Sequence, residues 1–106
     1  MADKINIMAG YLNAFAYEAL DVADTAVVLT VAKYKDSEGQ YAKRAVITIE
    51  DAQIRYCYDG TTPTTLVGHL ANPMDVIILN TASNIRNFQI IRKGSTSAKI
   101  KVSYEK

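Results

Sequence analysis

Apolar and polar residues alternate along much of the chain with the period of two that is typical of half-buried β-strands. The alternation is clear over residues 44–50, 53–58 and 98–104. Each segment therefore predicts a strand with one face in the core and the other towards solvent. One face is shared by Ala45, Ile47 and Ile49 in the first segment and by Ile54, Tyr56 and Tyr58 in the second. In the third segment the inward residues are Ala98, Ile100, Val102 and Tyr104.

Four further segments predict strands less directly. Residues 25–33 alternate, and residues 87–92 do so after a lead-in over 84–86. Residues 76–79 are a continuous apolar run, which predicts a strand buried on both faces. Residues 13–20 favour a strand through their alternation, although the alanine-rich run up to Leu20 would also suit a helix.

Turn-forming residues separate these segments at short intervals. Asp59-Gly60 and Asn72-Pro73 predict turns, and Pro63 among its threonines predicts an ordered extended loop. Residues 51–52 leave room only for a tight connection, such as a hairpin or a bulge. With seven or eight short strands and no crossover helix, we expect an all-β fold, an antiparallel β-sandwich or jelly roll.

Composition supports this fold and narrows the function. The net charge is +1, so the chain has no global field to steer it onto nucleic acid or anionic lipid. A single cysteine and a single histidine rule out an internal disulfide, and a metal site built from several Cys or His ligands. No apolar run is long enough to span a membrane and no signal peptide is evident, so we expect neither a membrane partner nor secretion.

The first twelve residues read as an extended N-terminal arm, followed by one domain over residues 13–106. The arm is too apolar to lie alone in water. We therefore expect it to hold a closed homo-oligomer, a dimer or trimer. The candidate interface residues are Ile5, Ile7, Met8, Tyr11 and Leu12.

Candidate chemistry is sparse, and we expect no catalytic, cofactor-binding or metal-binding residues and hence no enzyme. Cys57 lies in a predicted strand and is expected to pack as a small apolar side chain. The loop around His69 is expected to be structural, through Asp59, Gly60, Pro63, Gly68 and His69. A basic face is expected from Arg86, Arg92, Lys93, Lys99 and Lys101, as solvated strand positions or as contacts to a protein rather than to nucleic acid.

One stretch resembles a pattern that recurs in small structural proteins of tailed-phage virions. It begins at Ile54-Arg55-Tyr56, continues through Asp59-Gly60-Thr61 and Gly68-His69-Leu70, and ends at Asp75. A strand like residues 45–50 precedes it, and segments like 84–92 and 99–105 follow. Where the pattern has Gly before the aspartate, this chain has Met74.

The resemblance implies a non-enzymatic structural protein located in the virion and assembled in the host cytoplasm. It implies a capsid decoration or cement protein that oligomerises and binds the major capsid protein or other virion proteins. A head–tail or tail accessory protein is one alternative. A small carbohydrate- or receptor-binding β module, using the loop from Asp59 to His69, is the other.

Overall fold

The computed structural model describes residues 12–106, and this part of the chain forms eight strands and two short helices. The elements are β1 (Ala14–Val22), β2 (Val27–Val28), α1 (Val31–Tyr34), β3 (Arg44–Glu50), β4 (Ile54–Cys57), β5 (His69–Ala71), β6 (Val76–Leu79), α2 (Ala82–Arg86), β7 (Gln89–Arg92) and β8 (Ala98–Glu105).

The strands form two four-stranded sheets. The first has the order β1-β8-β3-β6 and the second the order β2-β7-β4-β5. Every neighbouring pair is antiparallel. This order, with the first strand beside the last and consecutive strands mostly in opposite sheets, is that of a jelly roll. The expected all-β sandwich is therefore confirmed.

The core is one cluster of apolar side chains contributed by both sheets. Along β3 and β8 every second residue is buried, as the alternation predicted. Burying such a side chain fully stabilises the fold by about 1.5–3 kcal/mol each. The largest fully buried side chains are Tyr104, Phe88, Ile47, Ile49, Ile54, Ile85, Ile90 and Ile100.

A buried carboxylate explains why the predicted strand over residues 25–33 is wrong beyond its first half. Glu18 of β1 is 7% exposed and accepts hydrogen bonds from the backbone N (3.1 Å) and the Oγ1 (2.6 Å) of Thr30 and from the Tyr104 hydroxyl. Thr30 then precedes α1, whose first residue, Val31, is 54% exposed. The chain satisfies the buried acid with Thr30 instead of continuing the strand ladder.

The predicted lead-in over residues 84–86 is also wrong, because these residues belong to α2. Thr81 caps the helix, its Oγ1 accepting from the backbone N of Asn84 at 3.0 Å. Ile85 and Phe88 are both buried, and their spacing of three is helical rather than extended. The strand itself begins only at Gln89.

Residues 51–52 form neither the hairpin nor the bulge that the sequence suggested. β3 lies in the first sheet and β4 in the second, so this connection carries the chain from one sheet to the other. Asp51 has a φ of 80°, and the backbone N of Ala52 donates to the carbonyl of Glu50 at 3.0 Å. This left-handed residue reverses the chain sharply enough to change sheets within three residues.

Candidate functional site

The outer edge of the first sheet carries an exposed apolar strand. β6 pairs with β3 on one side, and no strand of residues 12–106 pairs with its other side. Ile77 and Leu79 are buried, whereas Val76 and Ile78 are 55% and 53% exposed. The prediction of a strand buried on both faces is therefore wrong for the outer face. The core of the sandwich covers only the inner face of β6, so the side chains on its outer face stay exposed.

The opposite edge of the same sheet, formed by β1, is protected. Its register shifts between Ala14 and Ala16, which marks a bulge. Its exposed Asp21 carries a charge that pairs with Lys99 at 3.2 Å, and α1 packs against the strand. Bulges, charges and covering segments are the devices by which edge strands avoid pairing with other chains. β6 has neither a bulge nor a charged side chain, although α2, which follows it, packs against it.

Met74 extends this exposed surface into the turn before β6. Its side chain is 89% exposed, and we refer to Met74, Val76 and Ile78 together as the β6 edge surface. The backbone of Met74 has a φ of 77°, the left-handed region that favours glycine. Its backbone N donates to the carbonyl of Ile49 at 2.8 Å, which fixes the turn against β3. The glycine of the resembling pattern would suit this conformation better.

Asp59 and Gly60 form the turn after β4 that the sequence predicted. The Asp59 carboxylate accepts from the backbone N of Thr61 at 3.0 Å, and this hydrogen bond holds the pKa of Asp59 below its usual range. Gly60 adopts a φ of 94°, and its backbone N donates to the carbonyl of Asn87 at 3.3 Å. The turn therefore joins β4 to the segment that precedes β7.

Pro63 and Gly68 fit the loop closely onto the second sheet. Pro63 is fully buried. Gly68 has a φ of 122°, and a Cβ there would lie 3.0 Å from the carbonyl oxygen of Tyr56 and 3.3 Å from the Cβ of Pro63. Only glycine meets both conditions, the backbone angle and the close approach. These contacts support a structural role for this part of the loop.

Arg55, which sequence reasoning did not single out, fastens the same loop. Its Nε donates to the carbonyl of Thr65 at 2.9 Å and its Nη1 to the carbonyl of Gly68 at 3.0 Å. Cys57, on the same face of β4, is buried, and burial raises the pKa of its thiol. The predicted packing of Cys57 is confirmed. The resembling pattern includes Arg55 but does not indicate its role, because its partners are backbone carbonyls.

An aromatic cluster, defined here as Tyr56, Tyr58, His69 and Phe88, lies beside this loop. The His69 ring lies 5.7 Å from that of Tyr58 with 25° between the planes, and 5.4 Å from that of Tyr56. Tyr56 continues inward to the buried Phe88, with ring centroids 5.7 Å apart. His69 therefore stacks on the Tyr58 ring and pairs with Tyr56 of the neighbouring strand β4, an arrangement that fits a structural role.

Two clefts flank the aromatic cluster. The first, of about 260 Å³, is lined by Cys57, Tyr58, Asp59, Thr61 and His69. The second, of about 340 Å³, separates Tyr56 and Tyr58 from β6 and from the residues that follow it. The aromatic cluster and the β6 edge surface therefore lie on the same side of the sandwich.

The basic residues do not form a single face. Lys99 and Lys101 lie on the outer face of the first sheet, where Lys101 pairs with Glu50 at 3.4 Å. Arg86 in α2 lies over the ring of Tyr41 at 5.3 Å. On the second sheet, Arg92 donates to Ser97 at 3.2 Å, and the backbone N of Lys93 donates to the carbonyl of Gln53 at 3.0 Å. These positions are separate and mostly have partners.

The predicted arm and most of its interface residues lie outside the described part of the chain. This applies to Ile5, Ile7, Met8 and Tyr11. Leu12, the first described residue, is half-buried. The interface prediction therefore stays a prediction.

Residues 12–106 contain no group of three or more His, Cys, Asp or Glu side chains placed to hold a metal ion. Neither helix in this part of the chain is long and apolar enough to cross a membrane. Comparison with family models, with curated proteins and with solved structures gives no match.

Proposed function

We propose that the protein is a non-enzymatic structural component of a tailed-phage virion, a capsid decoration or cement protein that assembles with itself and binds the particle surface. The observation that carries the assembly part is the exposure of β6. Four consecutive apolar residues form an open sheet edge, and two of them are more than half exposed.

β6 is wholly apolar, yet its outer face is exposed to solvent in the single chain. A strand of this composition is usually covered on both faces. An uncharged, unpaired edge strand also offers its backbone N–H and C=O groups to any other chain. A protein that leaves such an edge in water risks aggregation, so we infer that the edge is covered in a larger assembly.

The virion part of the proposal rests on the resemblance over residues 45–105. The jelly roll agrees with it, since this architecture is common in viral capsid domains and in lectins. A fold of this kind hosts many functions and does not by itself choose between them. A position at the head–tail junction or on the tail would use the same surfaces.

The direct test is to detect the protein in purified phage particles by mass spectrometry. The particles come from a phage that encodes this chain, complemented with Ile78→Lys, with Tyr17→Lys, or with the unchanged chain. Tyr17 is the matched control, being 55% exposed on the opposite edge of the same sheet, against 53% for Ile78. We expect many copies per particle for the unchanged chain and for Tyr17→Lys, and loss of the protein for Ile78→Lys. Absence of the unchanged chain from the particles would contradict the proposal.

A saccharide-binding module is the second candidate, and the pairing of Tyr58 with His69 favours it. Tyr58 is 42% exposed beside the smaller cleft, where the charged Asp59 and the hydroxyl of Thr61 would offer hydrogen bonds. Aromatic faces next to polar groups suit the mixed surface of a sugar ring.

A glycan array separates the two candidates. Binding that is lost in Tyr58→Ala and retained in Tyr41→Ala would favour the saccharide module, because Tyr41 is similarly exposed, at 39%, but does not line this cleft. A structural virion protein is expected to bind no glycan on the array.

A further inference from the structure

The β6 edge surface has a candidate occupant within the chain itself. Eleven residues precede Leu12, and they include Lys4-Ile5-Asn6-Ile7-Met8. In this segment Ile5 and Ile7 are separated by a polar residue, the alternation of a strand with one apolar face. This segment of five residues is long enough to cover the four residues of β6.

The direction of the strands decides whether the segment would come from the same chain. Ala14 at the start of β1 pairs with Glu105 of β8, and Glu105 pairs with Arg44 of β3. The next residue of β3, Ala45, pairs with Leu79 at the end of β6. The start of β1 therefore lies level with the end of β6, on the opposite edge of the sheet.

Within one chain the segment would have to lie beyond β6, four strand spacings or about 19 Å from β1, whereas residues 9–12 in extended form cover about 13 Å. Even if residues 4–8 reached that position, they would have to run parallel to β6. Every strand pair in the described part of the chain is antiparallel. A second copy has no such restriction, because it can approach in the orientation that makes the pair antiparallel.

We propose that residues 4–8 of one copy add to β6 of another copy as an antiparallel fifth strand of the first sheet. The preferred register places Ile5 opposite Ile78 and Ile7 opposite Val76, so that the apolar side chains share the outer face. The unpaired backbone groups of β6 then bind the added strand. This proposal rests on the self-assembly in the proposed function and names the segment that produces it.

Disulfide trapping between two differently tagged, co-expressed chains tests the proposal. One chain carries Ile5→Cys and the other Ile78→Cys, both with Cys57→Ser, and the protein is oxidised as purified. Residues directly opposite on neighbouring strands are close enough for a disulfide to form. We expect a linked species containing both tags. The matched control pairs Ile5→Cys with Tyr17→Cys on the β1 edge, and there we expect no such species.

The possible results separate this proposal from the proposed function. A single chain carrying both Ile5→Cys and Ile78→Cys that forms its disulfide internally would overturn pairing between copies. Absence of any link to β6 would overturn the role of the segment. If Ile78→Lys were nevertheless lost from particles, the proposed function would stand with a different occupant on β6.

Discussion

At the scale of single residues, two positions are unfavourable for the free energy of folding, and the rest of the fold offsets their cost. Met74 occupies a left-handed backbone conformation with a long side chain in solvent. Glu18 is a carboxylate inside the sandwich, stabilised by hydrogen bonds from Thr30 and Tyr104. Each position can be tested by one substitution, because the cost has one physical cause: left-handed backbone at Met74 and burial of a carboxylate at Glu18.

Replacing Met74 with glycine should stabilise the protein. Left-handed backbone costs a residue with a Cβ about 1–2 kcal/mol, and the greater freedom of glycine in the unfolded chain returns part of this. We expect the free energy of unfolding to rise by about 0.5–1 kcal/mol in denaturant titrations. Met74→Ala is the control and should show no gain, because alanine keeps the Cβ. Equal stability of the two variants would contradict the assigned strain.

The stability of the protein should fall at alkaline pH through Tyr104. Burial, and then the hydrogen bond to Glu18, raise the pKa of Tyr104 above its ordinary value of 10.0. The unfolded chain therefore loses its phenolic proton first, so this stability is fully present below about pH 10 and is lost as the pH rises above it. Tyr34 and Tyr56, whose pKa values burial also raises, act in the same direction.

Tyr104→Phe isolates this contribution. The variant loses a hydrogen bond to a buried carboxylate and should be less stable at neutral pH by about 1–3 kcal/mol. Above pH 10 its free energy of unfolding should fall less steeply than that of the unchanged chain, by at most about 1.4 kcal/mol per pH unit. Unfolding curves at several pH values measure both slopes. Identical slopes would show that Tyr104 does not titrate differently on folding.

At the scale of elements, strict alternation predicted the strands that lie in the centre of the first sheet. β3 and β8 each have strands on both sides and one face on the core, so their pattern reports their environment directly. α1 and α2 were missed because contacts distant in sequence and local capping decide them. Thr30 binds Glu18, twelve residues earlier, and Thr81 caps α2.

The prediction that β6 is buried on both faces was wrong for a different reason. The apolar composition of β6 indicates that both faces of the strand are buried in the functional protein. The composition does not indicate whether the same chain or another chain buries them. Of the candidate site, the sequence predicted the loop residues Asp59, Gly60, Pro63 and Gly68. It could not predict Arg55, whose hydrogen bonds go to backbone carbonyls of a loop.

The loop that Arg55 fastens should control access to Cys57. Arg55→Met keeps much of the side-chain length but removes both hydrogen bonds, each worth about 1.5–3 kcal/mol for a charged donor. We expect the Cys57 thiol to react with a thiol reagent roughly tenfold faster or more in this variant. Arg92→Met is the control, since the Arg92 side chain donates to Ser97 rather than to this loop. Equal reaction rates in the two variants would show that Arg55 does not hold the loop closed.

At the scale of the whole molecule, the sandwich presents two unlike edges on its first sheet. The β1 edge carries a bulge and a charge, whereas the β6 edge is short, apolar and uncharged. Such an asymmetry favours assembly through β6 rather than through β1. In a closed assembly each copy would contribute one segment and receive one, so no β6 edge would remain open. Deletion of residues 1–10 should then release monomers with an intact sandwich fold.

The mass of the protein in solution shows whether β6 joins copies of the chain. Light scattering coupled to size exclusion, at tens of micromolar, compares the unchanged chain with Ile78→Lys and Tyr17→Lys. We expect a closed oligomer of two or three chains for the unchanged protein and for Tyr17→Lys, and a folded monomer for Ile78→Lys. A monomeric unchanged chain, or an oligomer that Ile78→Lys leaves intact, would contradict this expectation.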